Sequence, residues 1–186
     1  MPLYIYSILV VGWAAWFTPF FLIRRAGQKA KQVDKRARWG MLIVMIGYSL
    51  LWQGKFWLHP PAAWRVGASI LFFAIAALMS WTATRALGKQ WRVDAGLNAD
   101  HELVMAGPYR FVRHPIYTSM LAVLLGTGFM VSPWWLFLPA LVLFFIGTEI
   151  RVRIEDNLLA TQFGDSFTNY KSRVPAYVPF LKYFPS

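Results

Sequence analysis

Five stretches of this chain, residues 3–23, 39–58, 64–84, 116–131 and 134–150, are apolar and almost free of charge. The first three reach the ~20 residues that an α-helix needs to cross a hydrocarbon core of about 30 Å. The fourth, closed off by Pro115 and Pro133, would make roughly 24 Å of helix and suits a locally thinned bilayer. Ser132 and Pro133 leave room only for a tight turn before the fifth, which predicts an antiparallel helical hairpin. The pattern as a whole predicts an all-α integral membrane protein with about five transmembrane helices. Composition agrees. Hydrophobic residues make up 58% of the 186, above the roughly 45–50% of soluble domains. The 10 Trp, 8 Tyr and 15 Phe are more rings than one small core can hide from lipid.

The charge is segregated just as strongly. A formal +11 comes from 19 Lys and Arg against 8 Asp and Glu. Seven of the bases lie in residues 24–38, five in 85–113 and five beyond residue 150, leaving Lys55 and Arg65 on the opposite side. By the positive-inside rule the three basic segments and the C-terminus face the cytoplasm, and the N-terminus lies outside. Base placed this way belongs to a membrane surface, so lipid is the expected surrounding and nucleic acid is not an expected partner. The first stretch reads as a retained span, because its basic residues follow the apolar run and the run is long for a cleaved leader.

Residues 1–84 therefore supply three N-terminal spans, and residues 85–186 form an integrated second part around the hairpin. Two polar segments there, 85–115 and from 151 onward, are long enough to build a cytoplasmic site. In the later one Leu159, Phe163, Phe167 and Tyr170 recur at helical spacing. This predicts an amphipathic helix continuing from the fifth span, with Pro175 and Pro179 ending regular structure.

Several common sites are excluded. The chain has no cysteine and three scattered histidines, so no metal-ligand spacing is recognisable. Gly126-Thr127-Gly128 lies inside an apolar span rather than between a strand and a helix, so it is not a phosphate loop. No strand–helix alternation supports a dinucleotide-type sheet.

Two polar clusters remain. Residues 101–117 gather His101, Glu102, Leu103, Val104, Gly107-Pro108-Tyr109, Arg113, His114, Pro115, Ile116 and Tyr117 at the mouth of the fourth helix. Gly107-Pro108 marks a turn, and Pro115 fits a first helical turn. Arginine, tyrosine and histidine also anchor helices in the headgroup zone, so anchoring and chemistry are both open readings. The second cluster, Glu149, Arg151, Arg153, Glu155 and Asp156, straddles the end of the fifth span. Helical spacing pairs Arg151 with Glu155 and Glu149 with Arg153. Such pairs are ordinary at a membrane surface, whereas an acid facing the bundle tends to be functional.

With Leu87-Gly88, Trp91, Phe163-Gly164 and Arg173-Val174-Pro175, these motifs resemble the isoprenylcysteine carboxyl methyltransferase family, related to the membrane phospholipid methyltransferases. The resemblance covers roughly residues 85–180 and makes residues 85–186 a methyltransferase core. It implies S-adenosylmethionine as methyl donor, in a cytoplasmic pocket formed by the connecting segment, the hairpin ends and the C-terminal helix. His101, Glu102, Leu103, Val104, Tyr109, Arg113, His114, Pro115, Ile116 and Tyr117 would form the donor site. Glu155 would hold the donor's charged end, and Arg151 would face the acceptor; these two are the expected catalytic residues. The implied acceptor is lipophilic, first a prenylated cysteine carboxylate, with a phospholipid amine as runner-up. Two departures stand out: Asp156 replaces the second Glu of the family's Glu-Glu, which puts its role in question, and Ser119 stands near a position often held by Gly.

An NADPH-dependent membrane reductase fits these motifs less well. A non-enzymatic scaffold or transporter would be favoured if the polar residues were mutually paired with no cavity between them. Nothing in the sequence sets the oligomeric state.

Overall fold

The structure, a computed structural model, describes residues 2–22, 32–55, 58–90, 96–97 and 102–179. Six α-helices occupy most of them: α1 (Leu3–Leu22), α2 (Ala37–Leu50), α3 (Ala63–Leu87), α4 (Pro115–Val131), α5 (Trp134–Phe163) and α6 (Asp165–Arg173). Apart from these helices, residues Gln32–Val33 pair antiparallel with Gly96–Leu97, which ties the two basic connections together.

Helices α1, α3 and α5 are long and apolar enough to cross a membrane, whereas α2 and α4 are shorter apolar helices. The second apolar stretch thus makes a shorter helix than its composition predicts. It stops at Leu50, and the chain turns so that Gly54 packs on Pro133, where an added Cβ would lie 2.6 Å from the proline ring. That packing holds the end of α2 against the α4–α5 connection. At the other end, α5 continues well past residue 150, as expected. The amphipathic segment does not run on unbroken, however. Gly164, at φ 51°, ends α5 and redirects the chain into α6, a backbone conformation that glycine adopts without strain.

The helices pack mainly as two pairs, α3 with α4 and α2 with α5, with α1 laid across α3. In the second pair the backbones nearly touch. A Cβ on Gly40 would lie 2.5 Å from the carbonyl oxygen of Gly147, and one on Gly47 would lie 2.9 Å from that of Ala140. Small residues permit such close approach between helices that gain little hydrophobic energy from burial in lipid. Gly126 and Gly128 instead receive the rings of Phe73 and Phe137.

Polar groups in the apolar layer are used as interhelical ties. Trp16 Nε1 donates to Ser119 Oγ at 2.9 Å, Trp13 Nε1 to Thr127 Oγ1 at 3.2 Å, and Tyr48 Oη to the Met120 carbonyl at 2.6 Å. Ser119, one of the two departures from the family pattern, therefore serves as the dock for α1. Large apolar side chains such as Phe21, Trp39, Leu71 and Trp135 point outward, which suits contact with lipid.

Candidate functional site

The two polar clusters converge. Pro115 opens α4, and His114 immediately before it is the N-cap residue. The start of α4 is pinned from below by the segment that follows α6. Arg113 N–H donates to the Pro175 carbonyl at 2.9 Å, His114 N–H to that of Ala176 at 2.8 Å, and Thr118 Oγ1 to that of Tyr177 at 2.6 Å. Tyr170 Oη adds a bond of 2.6 Å to the Tyr109 carbonyl. Backbone donors at the mouth of a helix are thus satisfied by a distant strap of chain, which fixes where the side chains of residues 113–117 point.

Those side chains meet α5. His114 stands between the two acids, with Nε2 at 2.9 Å from Asp156 Oδ1 and Nδ1 at 3.4 Å from Glu155 Oε2. Tyr117 Oη donates to Glu155 Oε1 at 2.5 Å and accepts from Arg151 Nε at 2.6 Å. Arg151 also bonds Glu155 Oε1 at 3.2 Å and reaches the Ala37 carbonyl of α2 at 3.5 Å. Both i,i+4 pairs expected from spacing are present, the exposed one joining Arg153 to Glu149 at 2.8 Å.

The two acids are not equivalent. Asp156 is almost fully buried and holds Arg113 at 2.9 Å, His114 at 2.9 Å and Lys171 at 3.3 Å. Arg113 in turn bonds the carbonyls of Lys171 and Val174 at the end of α6, where a cation complements the helix dipole. Asp156, whose role the sequence left in question, is the point at which the start of α4, α5 and α6 are clasped. Glu155 keeps 22% of its side chain exposed, so one acid anchors and the other retains an open edge. Both acids are thus paired, the mark set for a scaffold, and Glu155 differs in keeping an edge exposed.

Of the site residues expected from sequence, Arg113, His114, Tyr117, Arg151 and Glu155 form one bonded network, with Pro115 and Ile116 in the turn between. Tyr109 is buried close by; its hydroxyl is pushed well above the usual tyrosine range by burial and by the nearby Tyr170 and Glu155. Glu102, Leu103 and Val104 take no part in that network among the described residues; Glu102 N–H bonds the Gln90 side chain instead, at 2.9 Å. His101 lies outside the described residues. Lys171 was missed, since nothing separates it from the other polar residues of an amphipathic helix. No group of three or more His, Asp or Glu among the described residues could hold a metal ion.

Burial alone would push the imidazole of His114 down, but its hydrogen bonds to Asp156 and Glu155 and their charges hold it above the ordinary 6.5. A raised folded-state value means the protonated form stabilises the fold. That contribution is whole below about 6.5 and fades as the pH rises through the higher value. Melting temperature in detergent is therefore expected to fall as the pH is raised from 6 to 9, and His114→Gln is expected to flatten that fall. An unchanged slope in the variant would assign the pH dependence elsewhere.

Comparison with known proteins places this geometry in context. The phospholipid methyltransferase family profile matches residues 64–166. A protein-S-isoprenylcysteine O-methyltransferase of Schizosaccharomyces pombe is 35% identical over 85 residues, 45% of this chain and 36% of that protein. Protein-S-isoprenylcysteine O-methyltransferase B of Arabidopsis thaliana is 35% identical over 82 residues, 44% of this chain and 41% of that protein. A nickel-cobalt-cadmium resistance protein of Alcaligenes xylosoxydans xylosoxydans is 35% identical over 146 residues, 69% of this chain and 68% of that protein. The matches to the two methyltransferases thus span less than half the length of either.

Proposed function

Because the chain belongs to the phospholipid methyltransferase family, we propose that it transfers a methyl group from S-adenosylmethionine to the carboxylate of a lipophilic, isoprenylcysteine-like acceptor at the cytoplasmic surface of a membrane. The observation that carries this reading is the convergence of the Arg113-His114-Pro115-Ile116-Tyr117 motif with Arg151 and Glu155 into one hydrogen-bonded network. Residues far apart in sequence meet where a charged donor and a charged acceptor would have to meet.

The side chains present fit the donor. Glu155 offers an acid with an open edge to an ammonium. The Nε–H of the buried Arg113 is without a partner among the described residues and is a donor available to a carboxylate. When bound, S-adenosylmethionine supplies an electrophilic methyl on a sulfonium. The chain's own residues would orient and exclude. His114 and Tyr117 hold Glu155 in place, and Arg151, itself held by Tyr117 and Glu155, aligns the acceptor carboxylate. A carboxylate is already ionised at neutral pH, so alignment and exclusion of water would provide the rate without a general base.

Charge favours the carboxylate over the runner-up amine. Two acids in the network face three permanent cations, Arg113, Arg151 and Lys171, as well as His114. The cations around Arg151 favour an anionic acceptor, and an amine would need a base while Glu155 and Asp156 are both engaged by cations. With the donor water-soluble and the acceptor greasy, the donor would enter from the cytoplasm and the acceptor laterally from the lipid.

Titration of the purified chain with labelled S-adenosylmethionine tests the reading. Saturable binding is expected, weakened at least ~10-fold by Glu155→Ala, the size of one lost charge-assisted hydrogen bond. An absence of saturable binding, or affinity untouched by that substitution, would remove the donor site from this cluster.

A further inference from the structure

One polar side chain deep in α5 is left unexplained by the network. Thr148 is fully buried, and its hydroxyl has no hydrogen-bond partner among the described residues. The other seven threonines of the chain all find one. Thr18, Thr82, Thr84, Thr161 and Thr168 donate to the carbonyl four residues back, Thr118 donates to Tyr177, and Thr127 accepts from Trp13. Helical threonine can choose a rotamer that makes the backbone bond, so Thr148 forgoes a partner that was within reach. A buried hydroxyl without a partner is unfavourable and calls for an unseen one.

Its position says what that partner is near. Thr148 precedes Arg151 by three residues and Glu155 by seven, which puts all three on one face of α5. Phe144 lies one turn further into the apolar layer on the same face, with Tyr48 against its ring. Along α5, Thr148 therefore falls between the level of Phe144, where Tyr48 of α2 bonds the Met120 carbonyl of α4, and the Tyr117–Arg151–Glu155 bonds that join α4 to α5. Where α4 and α5 pack directly, near their connection, the ring of Phe137 fills the space beside Gly128.

We infer that Thr148 is a specificity-determining residue for the acceptor, donating its hydroxyl to an oxygen of the polar head that Arg151 aligns. The inference rests on the acceptor reading given above. An apolar-chain acceptor with an oxygen-bearing head has to pass from the lipid layer to the charged cluster, and Thr148 is the polar point on α5 one turn short of that cluster. The head is anionic by the charge of the network, so it accepts hydrogen bonds, and a hydroxyl at this depth is a donor that adds no charge to the apolar layer.

The test uses the full chain in nanodiscs with N-acetyl-S-farnesylcysteine as probe. Thr148→Val removes the hydroxyl at nearly constant shape, and Thr148→Ser retains it. In the valine variant the KM for the probe is expected to rise about 10-fold, with donor affinity unchanged and the serine variant close to wild type. The thermal shift that the probe gives the wild type, measured without donor, is expected to vanish with valine. Wild-type KM and wild-type shift in the valine variant would overturn the inference, as would a probe that gives the wild type no shift. If instead the wild type binds no S-adenosylmethionine while the probe's shift still requires the hydroxyl, the methyl-transfer reading falls and the role of Thr148 stands.

Discussion

Asp156→Ala is expected to cost about 3–5 kcal/mol, the penalty typical of removing one partner from a buried ion pair. The reason lies in what would remain. Arg113 and His114 are 6% and 7% exposed, and both direct their charge at Asp156. Without it, the guanidinium stays buried against the carbonyls of Lys171 and Val174 with no counter-charge, and Lys171 loses its acid. The strap of residues 174–177 depends on the same arrangement, since Arg113 and His114 carry its two backbone bonds. Loss should therefore show both as a lower melting temperature and as faster amide exchange in α6 and the strap. Asp156→Asn, which keeps two hydrogen-bonding atoms but not the charge, should fall between alanine and wild type. Arg153→Ala provides the comparison, because Arg153 is 72% exposed in its pair with Glu149 and such pairs contribute under about 1 kcal/mol. If Asp156→Ala and Arg153→Ala proved equally mild, Asp156 would be no clasp.

Much of this arrangement was legible in the chain, and the remainder was hidden for identifiable reasons. Periodic and local information carried well. The positions of the apolar helices, the turn at Ser132-Pro133, the His114-Pro115 entry to α4 and the two i,i+4 pairs on α5 all follow from spacing within a few residues. What spacing does not contain is the partner across the bundle. Asp156 looked the weaker of two acids because its reach is short, yet short reach suits a residue held between three cations in a dry place. Nothing in the sequence marks Thr148, because a helical hydroxyl ordinarily returns to its own backbone. The early end of α2 could not be read from hydropathy, since the apolar run extends to Leu58 while the helix stops at Leu50 for the sake of packing Gly54 on Pro133. The break at Gly164 was visible as a glycine, but the continuous Leu159-Phe163-Phe167-Tyr170 stripe argued for one helix. Two helices can present one stripe when the residue between them tolerates positive φ.

Arg151→Ala is expected to lower kcat/KM for the acceptor by about 10²-fold or more while changing the affinity for S-adenosylmethionine only a few-fold. The magnitude corresponds to two charge-assisted hydrogen bonds lost near the reacting group. The asymmetry follows from how the residue is held. Arg151 is 8% exposed at its side chain and bonds Tyr117 through Nε, Glu155 through one terminal nitrogen and the Ala37 carbonyl through the other. Gly40 lies where an added Cβ would come within 2.8 Å of its stem, so α2 leaves it one seat. A guanidinium fixed on that many sides is preorganised and loses little freedom when it aligns a carboxylate. Glu155, by contrast, retains Tyr117 and His114 when Arg151 is removed, so the donor's side of the site keeps its shape. Arg151→Lys restores the charge without the planar fork, and is expected to recover only a small part of the rate. Measuring the donor's Kd and the acceptor's kcat/KM on the same preparations separates the two effects. Equal losses in both would mean that Arg151 serves the donor, and the assignment of Arg151 and Glu155 to opposite sides of the reaction would have to be reversed.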